Sequence, residues 1–311
     1  MGFDLDTLRA AVAAHGRVAR VVIARIEGSS PREVGAAMLV WDGGQSGTIG
    51  GGALEFLAAQ EARKATTDRL STHALGPEMG QCCGGRITLL REVYDAARVA
   101  ELGQGVIARS TDGSEMPLVV KRLLAQARAQ GQRPEAQLVQ GWMVEPVHRP
   151  ETPLWIWGAG HVGRALVDVL APLPDLAITW VDTTPERFPE RVAPGVTALP
   201  AAQPALLAQH APHDAQHLIL TYSHALDLEL CHALLQRGFA RCGLIGSQTK
   251  WARFRSRLAA LGHASESIAR IDCPIGDPSL GKHPQAIAIS VAGAILLEKG
   301  RKTPQYKEKT G

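Results

Sequence analysis

Leu154-Trp155-Ile156-Trp157-Gly158-Ala159-Gly160-His161-Val162-Gly163 is the stretch that decides the fold. A short apolar run ends in a G-x-G-x-x-G pattern, and residues 164–170 continue with helical periodicity. That is the strand–turn–helix context in which the pattern has physical meaning. The first glycine makes the tight turn, the second admits a pyrophosphate, and the third lets the helix pack on the strand. Residues 177–181 read as a second strand. Asp182 stands at its end, 22 residues on from Gly160, where a ribose-binding carboxylate belongs. The sequence therefore predicts an α/β chain with a Rossmann-like, doubly wound parallel sheet over 153–311.

The remainder of this half fits the same plan. Residues 192–199 suggest a short third strand, and 217–221 a fourth. Tyr222-Ser223-His224 follows that strand at its carboxyl end, where open parallel sheets bind ligands, so His224 is a candidate contact or an ordinary surface histidine. His161, between the glycines, would lie near a bound phosphate or serve structurally. Residues 226–236 read as a helix with Asp227 in its first turn, suited to the helix dipole. Gly246-Ser247-Gln248-Thr249-Lys250 opens a basic helix, with Ser247 as its N-cap and a charged face for phosphate or for water. Thr183 to Phe188 reads as a solvated polar turn. Pro284 starts the last helix.

The first half reads as a separate α+β domain, 1–115. Asp4 or Asp6 can cap a helix with Leu5, Leu8 and Val12 on its apolar face. Residues 18–26 are continuous and β-branched, the mark of a strand buried on both faces. Residues 36–41 look like a returning strand. Gly47-Thr48-Ile49-Gly50-Gly51-Gly52 then opens a helix over 53–64, which offers free N–H groups to an anion at Gly50, Gly51 and Gly52, or is a plain connector. Glu55, in that helix's first turn, reads as a dipole partner. Gly80-Gln81-Cys82-Cys83-Gly84-Gly85 sets two thiols side by side between glycines. It is either an open thiol loop or a tight turn with two buried cysteines. Residues 116–152, rich in breakers apart from a helix over 118–128, read as a linker.

Composition bounds the function classes. The 311 residues carry a net charge of +3 with no dense basic block, which argues against nucleic acid. The longest apolar run, 286–297, is too short for a bilayer, so no membrane role is expected. Five cysteines, an odd number with no CxxC, argue against a secreted disulfide framework or zinc knuckle and for reduced, cytoplasmic thiols.

Three motifs in order, Ile26-Glu27-Gly28-Ser29-Ser30-Pro31-Arg32, Gly47 to Gly52 and Gly80 to Gly85, resemble the XdhC family. So do Gly158 to Gly163, Gly246 to Lys250 and Pro274-Ile275-Gly276, so the resemblance spans nearly the whole chain. The stretch Asp277-Pro278-Ser279-Leu280 departs from the family's pattern. These are accessory proteins of xanthine dehydrogenase, related to the CoxI group. The resemblance implies a cofactor chaperone rather than an enzyme, with no catalytic residues of its own. Such a protein binds the molybdenum cofactor (molybdopterin), protects it during sulfuration and helps deliver it to apo xanthine dehydrogenase in purine catabolism.

On that reading Gln81, Cys82 and Cys83 meet the metal end, with Cys82 and Cys83 as metal ligands. The glycines at 50–52 and 158–163, with His161, Asp182 and His224, hold the rest of the cofactor or a nucleotide, and the cofactor lies between the two domains. A cysteine desulfurase is an expected partner, and a homodimer is plausible. The alternative is an NAD(P)-dependent oxidoreductase using the Rossmann-like domain, against which no catalytic pair for hydride transfer stands out in the first half.

Overall fold

The computed structural model describes residues 2–76 and 84–302, with 299–302 as backbone only. The chain divides into two compact units, Met1–Arg149 and Pro150–Gly311.

The first unit begins with α1 (Leu5–His15), capped by Asp4, whose side chain accepts from the Thr7 N–H. Next come β1 (Val18–Glu27), β2 (Ala37–Trp41), β3 (Gly44–Gly47), α2 (Gly52–Arg63), β4 (Arg69–Ala74) and β5 (Arg86–Tyr94). The five strands form an antiparallel sheet in the order β3-β2-β1-β5-β4. In β1, residues 18–24 are all buried, apolar except for Arg20. Ala19, Val21 and Ile23 share a core with Leu54, Ala58 and Ala62 of α2. The alternate residues Val22 and Ala24 pack with Met143 on the other side.

The segment that reads as a linker is structured. After α3 (Ala96–Ala100) come β6 (Val106–Ser110), α4 (Leu118–Gln130), β7 (Gln137–Val139) and β8 (Trp142–Pro146). The three strands form an antiparallel sheet in the order β6-β8-β7. Met143 and Glu145 of β8 are buried in the first unit's interior. Arg133-Pro134, one of the breakers that suggested a linker, sits between α4 and β7, and Gln140, between β7 and β8, takes φ +47. The two units part only at Arg149/Pro150.

Between the two sheets lies a buried charge cluster. Arg20 of β1 donates to Glu145 of β8 at 2.7 and 3.0 Å and to Glu92 of β5 at 3.3 Å. Arg109 of β6 donates to Glu92 at 2.6 and 2.9 Å and to Glu145 at 2.6 Å. The Phe3 ring lies 4.2 Å from the Arg20 guanidinium carbon.

The second unit is a six-stranded, all-parallel sheet in the order β11-β10-β9-β12-β13-β14. Its strands are β9 (Thr152–Trp157), β10 (Leu176–Asp182), β11 (Thr197–Pro200), β12 (Gln216–Ile219), β13 (Arg241–Leu244) and β14 (Ile271–Asp272). In the unit's own strand numbering that is 3-2-1-4-5-6, the order of dinucleotide-binding sheets, with its switch point between β9 and β12. The helices are α5 (His161–Leu170), α6 (His224–Arg237), α7 (Gln248–Ala260), α8 (Ser265–Ile268) and α9 (Pro284–Lys302).

Side chains of α5 and α9 cover one face with Leu154 and Ile156. Those of α6 and α7 cover the other with Trp155 and Trp157. Both faces of β9 are thus buried, which is why its sequence is continuously apolar. No described helix is long and apolar enough to cross a membrane.

Candidate functional site

In the first unit, three loops meet at one end of the five-stranded sheet. Ser29, just beyond β1, forms a parallel bridge with Gly84, just before β5. The backbones touch so closely that a Cβ on Gly85 would collide with the Ser29 carbonyl oxygen, and one on Gly28 would lie 3.3 Å from Gly85 Cα. Gly50 packs on Pro31, where a Cβ would approach the ring to 2.6 Å. The motifs around residues 28–32, 47–52 and 84–85 therefore form one surface. Gln81, Cys82 and Cys83 lie outside the described residues.

Gly50, Gly51 and Gly52 take φ of +123, +76 and +71, a run that L side chains resist. The Gly50 and Gly51 N–H groups are not free for an external anion. Glu55 Oε2 accepts from Ile49 N at 2.9 Å, Gly51 N at 3.0 Å and Thr48 Oγ1 at 2.5 Å, and Gly50 N donates to Thr48 Oγ1 at 3.0 Å. Burial alone would raise the Glu55 carboxyl, but these donors outweigh it and hold it below the ordinary value. The candidate anion cradle thus holds the chain's own carboxylate.

In the second unit the glycine turn divides its labour. Gly158 has φ +122, and a Cβ there would come 2.5 Å from the Leu220 carbonyl oxygen. A Cβ on Gly163 would overlap the Gly158 carbonyl oxygen. At Gly160 a Cβ would meet nothing within 4 Å. Packing within the chain demands the first and third glycines, and the second opens onto free space. Gly163→Ala is therefore expected to cost about 1–3 kcal/mol of stability through overpacking. Gly160→Ala, at the N-cap of α5, should cost less than about 1 kcal/mol. Urea denaturation separates the two. Equal losses would show that Gly160 also serves packing.

Asp182 is buried and turned inward. Its carboxylate accepts from the Ala159 N–H at 2.5 Å and the Thr183 N–H at 2.6 Å, and from Thr183 Oγ1 at 3.1 Å. Arg187 Nε donates to it at 3.4 Å. The carboxylate braces the glycine turn, so its acceptors are already spent within the chain. His161 and His224 are exposed at the first positions of α5 and α6, at the carboxyl ends of the adjacent strands β9 and β12.

Two expectations about charge change. Lys250 is not on a solvated basic face. Its side chain is 9% exposed, and Nζ donates to Asp227 at 2.6 Å and to the Ile245 carbonyl at 2.8 Å. Asp227, fully buried, also accepts from the Thr221 N–H and hydroxyl. It joins the loops after β12 and β13 rather than only meeting the α6 dipole. Arg187, read as solvated, stacks on Tyr222 at 4.9 Å. No local signal marked that pair.

Burial pushes the Cys273 thiol up to about 11 and raises Cys231 and Cys242 as well, so the described thiols are protonated and unreactive at neutral pH. Among the described residues no group of three or more His, Cys, Asp or Glu is placed to hold a metal ion.

An antiparallel-sheet unit followed by a Rossmann unit with an open glycine crevice defines the class of protein. A model described as the XdhC Rossmann domain matches residues 154–295, and one described as the XdhC and CoxI family matches residues 11–74. The chain belongs to the XdhC family. It is 27% identical over 293 residues to "Uncharacterized protein YqeB" of Escherichia coli (strain K12), covering 91% of this chain and 43% of that protein's length. A crystal structure of a xanthine dehydrogenase from Bacillus halodurans superposes with a TM-score of 0.71 at 22% identity, covering 98% of each chain, and shares the fold.

Proposed function

We propose that this protein is an accessory factor of xanthine dehydrogenase that holds the molybdenum cofactor, keeps it for sulfuration by a cysteine desulfurase and passes it to the apo-dehydrogenase in the cytoplasm. Membership of the XdhC family supports the accessory role. The observation that carries the reading is the meeting of the family's three front-half motifs on one surface, with Gly84 bridged to Ser29 and Gly50 seated on Pro31. Cys82 and Cys83 stand immediately before Gly84 in sequence and are the thiols left for soft-ligand chemistry, because the other three are protonated, Cys231 and Cys242 by full burial and Cys273 by partial burial. With Gln81 they would meet the molybdenum end.

The phosphate end fits the first unit poorly, since Thr48 and Glu55 already accept from the Gly50 and Gly51 N–H groups. In the second unit the Gly160 turn leaves open space for an anion. When bound, the cofactor supplies a dithiolene-held molybdenum centre. The chain's own contribution is to bind, orient and shield it. An NAD(P)-dependent oxidoreductase is the weaker reading, because the carboxylate such a cofactor's ribose requires is spent on Ala159, Thr183 and Arg187.

The test is metal and pterin analysis of protein purified without oxygen from a cofactor-making host. The parent should carry molybdenum. Cys82→Ser with Cys83→Ser should lose it while the thermal melting curve is unchanged. Full retention of molybdenum in the double variant overturns the role given to the thiols.

A further inference from the structure

We propose that Arg187 and Tyr222 are the recognition pair of the β9/β12 crevice, the guanidinium for a phosphate oxygen and the phenol ring for a planar heteroaromatic ring on the same ligand. The two residues follow β10 and β12, the strands on either side of β9, and their side chains meet with Arg187 Cζ 4.9 Å from the Tyr222 ring centroid. The contact joins the two loops that flank the glycine turn.

Three features separate this pair from a chance surface contact. The first is unspent capacity. Arg187 uses only Nε, in a long 3.4 Å contact with Asp182, and its terminal nitrogens have no hydrogen-bond partner among the described residues. Tyr222 is 68% exposed, so one face of the ring carries the guanidinium while much of the rest is open. Exposed aromatic rings of this size attract flat cyclic ligands by stacking, and guanidinium forks match phosphate oxygens.

The second feature is a fixed main chain beneath both side chains. Arg164 Nη2 donates to the Arg187 carbonyl at 2.8 Å, and Arg164 Nε donates to the Ala159 carbonyl at 3.2 Å, tying residue 187 to the glycine turn. Phe188 stands edge-on to the buried Trp180 at 5.2 Å. On the other side, Thr221 is bound to the buried Asp227, and its hydroxyl accepts from the Ser223 N–H at 3.2 Å, which brackets Tyr222. An exposed side chain on a pinned backbone binds with less ordering cost.

The third is Asp182. A dinucleotide site offers a free carboxylate to ribose hydroxyls. Here that carboxylate is internal, so recognition falls to phosphate and ring. This chemistry is shared by nucleotides and phosphorylated pterins.

Equilibrium binding to the full chain distinguishes the sources, with adenosine diphosphate as one probe and molybdenum cofactor released anaerobically from a molybdoenzyme as the other. For each probe that the parent binds, Arg187→Met and Tyr222→Ala should each weaken affinity about tenfold or more, the scale of one charge-assisted contact. Tyr222→Phe should keep most of what Tyr222→Ala loses. A parent that binds neither probe overturns the proposal, as do two variants that bind like the parent. Binding of adenosine diphosphate through this pair by a chain that holds no molybdenum would overturn the preceding reading and leave this one standing. Molybdenum retention with both variants unaffected would do the reverse.

Discussion

Glu145→Ala should lower the stability of the first unit by about 3–5 kcal/mol, the scale for stranding buried charge. Glu145 is fully buried and, like Glu92, accepts from both Arg20 and Arg109. With alanine in its place, two guanidinium groups would face the single carboxylate of Glu92 in an interior that excludes water. Urea denaturation and hydrogen exchange of the β1 and β8 amides measure the loss. Arg20→Met with Glu145→Leu removes one charge of each sign and leaves the Arg109–Glu92 pair, so the double variant should lose much less than the sum of the single changes. A loss below about 1 kcal/mol in Glu145→Ala would show that the cluster is well solvated and refute this account.

The same cluster fixes a pH dependence. Burial by itself would raise the Glu145 carboxyl, but the Arg20 and Arg109 charges outweigh it and hold its folded pKa below the usual value. A carboxyl depressed in the folded state contributes its full stability above the unfolded pKa, about 4.3, and loses it as pH falls through the folded value. The parent should therefore be steady near neutrality and weaken in acid below that range. Glu145→Ala should show a flatter acid limb.

Asp227→Ala is the second large effect, expected to cost the second unit about 3–5 kcal/mol. It would leave the Lys250 ammonium, 9% exposed, with only the Ile245 carbonyl as a hydrogen-bond partner. It would also strip the Thr221 N–H and hydroxyl of their acceptor. The two loops held together here follow β12 and β13, so the damage should be local as well as global. Hydrogen exchange should quicken first at Thr221 and over residues 245–250. If stability and exchange both stay at the parent's level, the pair does not organise this end of the sheet.

Much of this architecture is legible in the chain. The apolar run at 154–157, the glycines that follow and the alternation of later elements point to a parallel sheet, because strand burial and helix amphipathicity leave local signatures. The buried strand at 18–26 is legible for the same reason. The small sheet of β6, β7 and β8 is not. Its strands are short and set among Pro and Gly, and although β7 and β8 form a tight hairpin, β6 pairs with β8 only across the intervening α4. Local composition there resembles a linker, and the pairing of β6 with β8 completes the sheet.

The candidate site divides along the same line. Residue types and their spacing marked the glycine turns and the thiol pair, and they placed Asp182 at the end of its strand. Where each polar group points was decided by competition for a few acceptors in a water-poor interior. Glu55 took the Ile49 and Gly51 N–H groups, and Asp182 turned in to Ala159. Lys250 met Asp227 across 23 positions, and Arg20 met Glu145 across 125. Sequence by itself determined the Rossmann unit, the buried first strand and the motifs, because backbone geometry and burial period are local. The tertiary structure alone decided which charges are spent inside and which, like the Arg187 terminal nitrogens, keep no hydrogen-bond partner among the described residues, because pairing a buried charge depends on neighbours that the chain brings together only on folding.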